Sequence, residues 1–547
     1  MINIGIDFGS TYTMVSVYEG DTPETVQPDG LSYSYPSIVV YDKKIDRYFF
    51  GKAASAKMSG KNTVAFRGFK MLLNHQMDQE NLRKRGYDEV NTPEHITELF
   101  LRYVIQNTLK KKGEDNVGTL VIGAPECWFQ SIDTIDSRSI LRKICSSMTD
   151  IVGKVKIVSE PTNAAAFSVW NYEKESQGDT LGGRILVVDY GGGTLDTALV
   201  EVHQQNGSLQ IKPEMRSGAG ENHDHEIGNA GIAYQEAVAR LAISEATGIP
   251  AEEIPCDAAF NKFIKEFEEQ LLSQSNTIKD IMESYEFDID GLNNEYFCEM
   301  DYGTESIEIN FFHLYDAYQT VIAPVLKRVL DDTSKDIELD DNLHIALVGG
   351  FCNFYLVEKQ IYKYFNISER DNRVKGMIRE EADREKAIAH GASLFASDVI
   401  SVCNVAQFSI GTYAVFPDGR RFNRYAINLG EEIDVDTVYF ALDDNGNPYP
   451  MTSGDIDKFL LNFSKRHNTA MDMCPKQKFA ERLRNIKSKC GDVVIVGFSM
   501  DTEERITIYV YNYDTVNGQR DEYPVDRLTL STLKDMFGSI VLPGLGG

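Results

Sequence analysis

Residues 186 to 202, LVVDYGGGTLDTALVEV, run an apolar strand into Asp189, three glycines and a threonine, then return at once to strand residues. Glycine turns cost backbone entropy and usually answer to a close approach or an unusual dihedral. A single such turn reads as a tight hairpin with a glycine-rich bulge. This one is not single. Residues 2 to 18, INIGIDFGSTYTMVSVY, repeat the order strand, aspartate, glycine turn, hydroxyl residue, strand. Asp7 answers to Asp189, Gly9 to the glycine run, and Thr11 or Ser10 to Thr194, with one residue more in the second turn. Copies this far apart exceed a solenoid period. They predict a duplicated lobe.

Each copy sets a turn of backbone N–H groups beside a carboxylate. Such turns form nests that bind anions. An aspartate repels a bare phosphate, so the pairing calls for a divalent cation, Mg2+, between the two. The two turns read as jaws on a metal–polyphosphate.

The chain has 547 residues, room for several domains. Its formal net charge of −28 argues against nucleic acid or an anionic membrane as partner. No stretch has the apolar length of a membrane span, and the first strand begins at residue 2, with no basic-then-apolar leader. The eight cysteines are scattered without a C-x-x-C pair, which fits a reducing cytoplasm better than a disulfide framework or a zinc site.

A polar, loop-rich region is expected to about residue 90. After it, hydrophobic periodicity predicts a helix over 94–112, a buried strand ended by Pro125, a helix in IDTIDSRSILRKICSSM, a strand VKIVSE and a helix opening at PTNAAAFSVW. The second half gives helices near 224–246, 258–274, 311–331 and from about 354. A buried strand LHIALV leads into Gly349–Gly350, and EKAIAHGASLFAS forms a small-residue helix. Alternating strands and helices imply layered α/β architecture. Beyond residue 400 the texture changes to short strands, with charged helices expected near 454–466 and 475–489. The cluster ENHDHEIG (His223, Asp224, His225, Glu226) invites a metal reading. Two histidines two apart on a helix diverge in direction, which favours a polar helix start.

The set GIDFGSTYT, FKMLL, IVSEPTNAAA, VVDYGGGTLD, GAGENHD, ALVGGF and EKAIAHGA, in this order, resembles the actin-like ATPase superfamily and, within it, the seventy-kilodalton heat-shock (DnaK-like) chaperones. The resemblance implies an α/β fold: a two-lobed actin-like (ribonuclease H-like, duplicated) ATPase domain over 1–398, followed by a smaller β-rich domain over 404–547. Lobe I would hold 1–178 and 370–398, and lobe II 179–369. It also implies ATP/ADP and Mg2+ as ligands, a protein or peptide client and a co-chaperone. Gly9, Ser10, Thr11 and Tyr12 would cradle phosphates from one lobe, and Gly191, Gly192, Gly193 and Thr194 from the other. Asp7 and Asp189 would face the metal, and Asp189 or Glu160 would orient the attacking water. Lys70 would sit near the terminal phosphate with Asp196 close by. Gly220 would lie on a phosphate-side loop, Glu266 and Ser273 would read hydroxyls, and Gly349 and Gly350 would let the nucleoside approach.

The chain departs from the family in two places. Glu269, Gln270 and Asn353 stand where a basic clamp on adenine is expected, and no long helical lid follows the C-terminal strands. An ATP-driven chaperone-like protein is the first reading. An actin-like filament or scaffold ATPase and a small-molecule kinase of the same superfamily are the alternatives.

Overall fold

The computed structural model describes residues 1–28, 32–58, 60, 62–74, 79–126, 128, 132–175, 181–205, 208–219, 230–334, 343–368, 381–403, 405–406, 409–415, 421–434, 437–443, 445–456, 459–462, 477–500 and 505–530. Two compact units emerge. The first comprises Met1–Cys127, Leu141–Ile211 and Met215–Ile400; the second comprises Ser401–Gly547 with Trp128–Ile140 and Lys212–Glu214.

The first unit holds the duplication. In one sheet, Thr22–Thr25, Tyr12–Glu19, Ile2–Phe8, Val117–Ala124 and Val152–Ser159 lie side by side in that order. Ile2–Phe8 pairs antiparallel with Tyr12–Glu19 and parallel with Val117–Ala124. The second sheet repeats the pattern: Ser208–Ala219, Leu195–Gln205, Gly183–Tyr190, Leu343–Val348. Here too the aspartate-bearing strand is antiparallel to the strand after its turn and parallel to a later one. Two helices, Glu160–Glu175 and Glu381–Ala396, join these sheets in one core. Ala164, Ala165, Ala387 and Ala392 pack in it with Val121, Val187 and Val348.

Small side chains let these helices come close. A Cβ on Gly391 would land inside the Asn163 carbonyl, and one on Gly5 would strike the Ser393 backbone. A second, aromatic-rich core gathers Tyr190 from the strand Gly183–Tyr190 with Tyr234, Phe260, Phe263, Phe267 and Tyr318 from the later helices. Local signals set the helix ends. Pro93–Lys112 starts behind Thr92, whose side chain accepts from the His95 N–H, and stops at left-handed Gly113 after three lysines.

Two expectations are corrected. The region before residue 90 is not loop-rich: Ile38–Asp42, Arg47–Phe50 and Thr63–Arg67 form a three-stranded sheet, whose short strands pair Val39 with Phe50, Val40 with Phe49 and Tyr41 with Tyr48, too few apolar residues in a row to stand out in the sequence. The helix expected at 258–274 is Ala258–Ser273, and a further helix, Ser275–Ser284, follows it. The helix expected near 454–466 is instead a short 3-10 turn and the strand Phe459–Asn462, because its apolar Phe-Leu-Leu pairs with Ser409–Thr412. Residues 463–476 lie outside the described part, as does the 221–229 stretch with the histidine cluster; the helix expected from 224 is described as Gly231–Thr247.

In the second unit, Val493–Met500 and Ile506–Asp514 form the centre of one sheet, and Ser409–Val415 that of a three-stranded sheet. Ile410, Ile427, Val494, Phe498 and Ile508 share one core with Leu483 and Ile486 of the helix Gln477–Lys487.

Candidate active site

Both turns are built by the strand that precedes them. Asp7 is the penultimate residue of Ile2–Phe8, and Asp189 the penultimate residue of Gly183–Tyr190. The first turn folds its carbonyls back into the protein: Gly9 O accepts from the Ser37 hydroxyl at 2.7 Å and Thr11 O from the Ser37 N–H at 2.8 Å. The second closes through Gly191 N–H to Thr194 O at 3.0 Å. Its Gly191 and Gly192 carbonyls then accept from Gly231 and Ile232, so the turn satisfies the first N–H groups of the helix Gly231–Thr247.

The glycines are there because the two turns meet. A Cβ on Gly193 would overlap the Ser10 side chain, and one on Gly192 the Thr11 hydroxyl. Gly349, at φ +81°, cannot carry a side chain either: a Cβ would stand 2.6 Å from Asp189 Oδ1. Ser10, Thr11, Gly192, Gly193, Gly349 and Asp189 thus surround one corner.

Carboxylates converge behind the turns. In the second hairpin Asp189 pairs directly with Asp196, whereas Asp7 faces Met14 in the first. Ligand atoms of Glu160, Asp189 and Asp196 lie within 4.8 Å of one another, and all three residues are buried. A buried cation answers them: Lys70, on the 3-10 turn Phe69–Asn74, puts Nζ 2.5 Å from Glu160 Oε1, with both side chains buried. Burial works to lower the Lys70 ammonium, but Glu160, Asp7 and Asp196 outweigh it and hold it above its ordinary value. Burial, and then Glu160, push Asp7 up to about 7 against the pull of Lys70. Asp189 is raised well above the carboxylate range by burial, then by Glu160, Asp196 and Asp7. Asp196 is raised by burial and Glu160, with the Thr194 hydroxyl opposing.

More negative charge is gathered than Lys70 compensates, and the fully buried Asp196 keeps Oδ2 without a hydrogen-bond partner among the described residues. That deficit fits a divalent cation, for which clustered carboxylate oxygens are the natural donors.

Several expected residues stand apart. The Tyr12 side chain leaves the turn and hydrogen-bonds Glu268 on Ala258–Ser273. Glu266 pairs with Lys262 one turn back on the same helix, and the exposed Ser273 hydroxyl bonds the Gln270 carbonyl; neither joins the carboxylate cluster. Gly350 is exposed, and a Cβ there would meet nothing within 4 Å. Gly220 lies outside the described residues. Sequence reasoning missed Glu126, fully buried just after Pro125, whose N–H donates to Asp196 Oδ1 at 2.8 Å. An acidic residue directly after a strand-ending proline was the available signal.

Comparison with known proteins agrees with this geometry. The sequence matches the family described as "Hsp70 protein" over residues 3–411. It is similar to "Chaperone protein DnaK" of Metamycoplasma hominis, 31% identical across 41% of this chain and 34% of that one. It is also similar to "Heat shock 70 kDa protein 2" of Paracoccidioides lutzii, 23% identical across 75% of this chain and 61% of the relative. A third relative, "Heat shock 70 kDa protein" of Neurospora crassa, is 24% identical across 72% and 58%. The matched stretch therefore spans between about a third and three fifths of these relatives' length. With its repeated lobes, two-lobed actin-like fold and β-rich C-terminal part, the chain belongs to the Hsp70 family.

Proposed function

We propose that this chain is a cytoplasmic, chaperone-like ATPase that couples its Mg-nucleotide state to a protein or peptide client, with a co-chaperone acting on the cycle. The observation that carries the reading is the meeting of the two glycine turns over a buried carboxylate cluster with one lysine. Among the described residues no helix is long and apolar enough to cross a membrane. In this reading lobe I is 1–178 with 370–398, lobe II is 179–369, and 404–547 forms the client-binding domain.

The residues divide the work by position. Gly9 to Tyr12 and Gly191 to Thr194 hold phosphate oxygens through backbone N–H groups and hydroxyls, with Gly220 on the same side. Asp7 and Asp189 face Mg2+, which when bound draws charge off the phosphates. Lys70 compensates charge developing on the transferred phosphoryl group, the main task of a protein in such reactions. Glu160 is engaged by Lys70, which leaves Asp189, backed by Asp196, as the acceptor that orients water. Gly349 and Gly350 border the nucleoside, and Glu266 and Ser273 approach it when the lobes close.

A thermal-shift panel with ATP, ADP, GTP and tripolyphosphate, with and without Mg2+, tests binding. Steady-state phosphate release tests catalysis: Asp189→Asn is expected to bind Mg-ATP and hydrolyse it about a hundredfold more slowly. Hydrolysis at the parent rate overturns the assignment.

A further inference from the structure

The sequence leaves neutral or acidic residues where a basic clamp on the base would stand, yet the fold returns a guanidinium to that corner. Arg384 comes from the helix Glu381–Ala396, remote in sequence from the Gly349–Gly350 turn. Its carbonyl accepts from the Gly349 N–H at 3.4 Å, and its Nη1 donates to Asn353 Oδ1 at 3.2 Å. Nη1 and Nη2 each reach Glu358 Oε1 at only 3.4 Å, the loose end of hydrogen bonding. The side chain is 12% exposed, and its buried Nε has no hydrogen-bond partner among the described residues.

The surroundings point to a ligand with a flat, polar-edged part. Gly349 abuts Asp189, so the turn borders the phosphate and metal corner, while the space beside Gly350 is open. Phe351 follows, half-buried and stacked 5.4 Å from Phe354, with Tyr234 tilted beside both. Asn353 spends its oxygen on Arg384, so what the pair can offer a ligand is N–H donors. A guanidinium fork matches the O6/N7 acceptor edge of guanine, whereas adenine mixes an N7 acceptor with an N6 donor.

We propose that Arg384, steadied by Asn353 and Glu358, is the base-reading residue of the nucleotide site, and that its donor edge admits GTP alongside ATP. This rests on the reading of the site given under Proposed function. Binding follows from that site: phosphate and metal contacts supply most of the affinity, and Arg384 sets which purine is favoured.

The test is calorimetric titration of the full chain with ATP, GTP and tripolyphosphate, each with excess Mg2+. For the wild type, GTP and ATP affinities within about tenfold of one another are expected. In Arg384→Ala, GTP should weaken about tenfold and ATP about threefold, with tripolyphosphate unchanged. Arg384→Lys, which keeps charge without the fork, should not restore GTP. If Arg384→Ala does not fold, Asn353→Ala, expected to shift the same ratio less, decides the matter. An unchanged ATP-to-GTP ratio with tripolyphosphate still bound overturns the role of Arg384 alone. Wild-type protein that ignores tripolyphosphate overturns the phosphate site and this inference together.

Discussion

Replacing Asp7 by asparagine should stabilise the metal-free protein, and increasingly so with pH. Asp7 sits half-buried beside Glu160, and its carboxyl is raised from 3.8 to about 7. Between those values the folded protein keeps a proton that the unfolded chain has lost. Stability therefore falls as pH rises through that window and levels off above it. At ~1.4 kcal/mol per pH interval, the whole window is worth about 4 kcal/mol, a ceiling because Asp7 is not fully enclosed. Urea unfolding of wild type and Asp7→Asn from pH 5 to 8 reports the titration of this group together with its coupling to Asp189 and Lys70, since groups away from the cluster titrate alike in both. The stability gap in favour of Asp7→Asn should widen by about 2–3 kcal/mol between pH 5 and 7, then hold. Excess Mg2+ should shrink the gap by stabilising the ionised wild-type carboxylate. A gap that stays constant with pH, or ignores Mg2+, refutes the picture of an undercompensated cluster awaiting a cation.

Three further outcomes are expected. Lys70→Met strips the buried Glu160 carboxylate of its partner and should cost about 3–5 kcal/mol in urea unfolding; a loss under 1 kcal/mol would mean the pair is not electrostatically isolated. Gly391→Ala drives a Cβ into the Asn163 backbone where the two small-residue helices cross, and should destabilise by about 3 kcal/mol or more; a neutral effect would show that the crossing yields easily. Tyr12→Phe and Glu268→Ala each remove the hydrogen bond from the first turn to the Ala258–Ser273 helix, and should speed release of a fluorescent ADP about threefold to tenfold. Unchanged release, or fully additive effects in the double variant, would exclude a joint role.

The residues that could be read from the chain were those whose type is forced by local geometry. Glycine turns after an aspartate at a strand end recur in both copies, so Asp7, Gly9, Asp189 and Gly191 to Gly193 stood out, and the duplication with them; Gly9, Gly192 and Gly193 admit no Cβ. Helices with strong caps, such as Pro93–Lys112, were equally legible. Phe459–Asn462 was not, because an apolar run of that length suits helix and strand alike until a partner strand chooses. Pairings across long sequence separations were beyond local signals too. Lys70 with Glu160, the Glu126 N–H with Asp196 and Arg384 with Asn353 each join residues from different parts of the chain. The sequence by itself determined two phosphate-type turns and a doubled strand order. Only the tertiary structure decided how many carboxylates share one lysine and which arginine reaches the glycine corner, because burial and charge proximity arise where separate elements pack together.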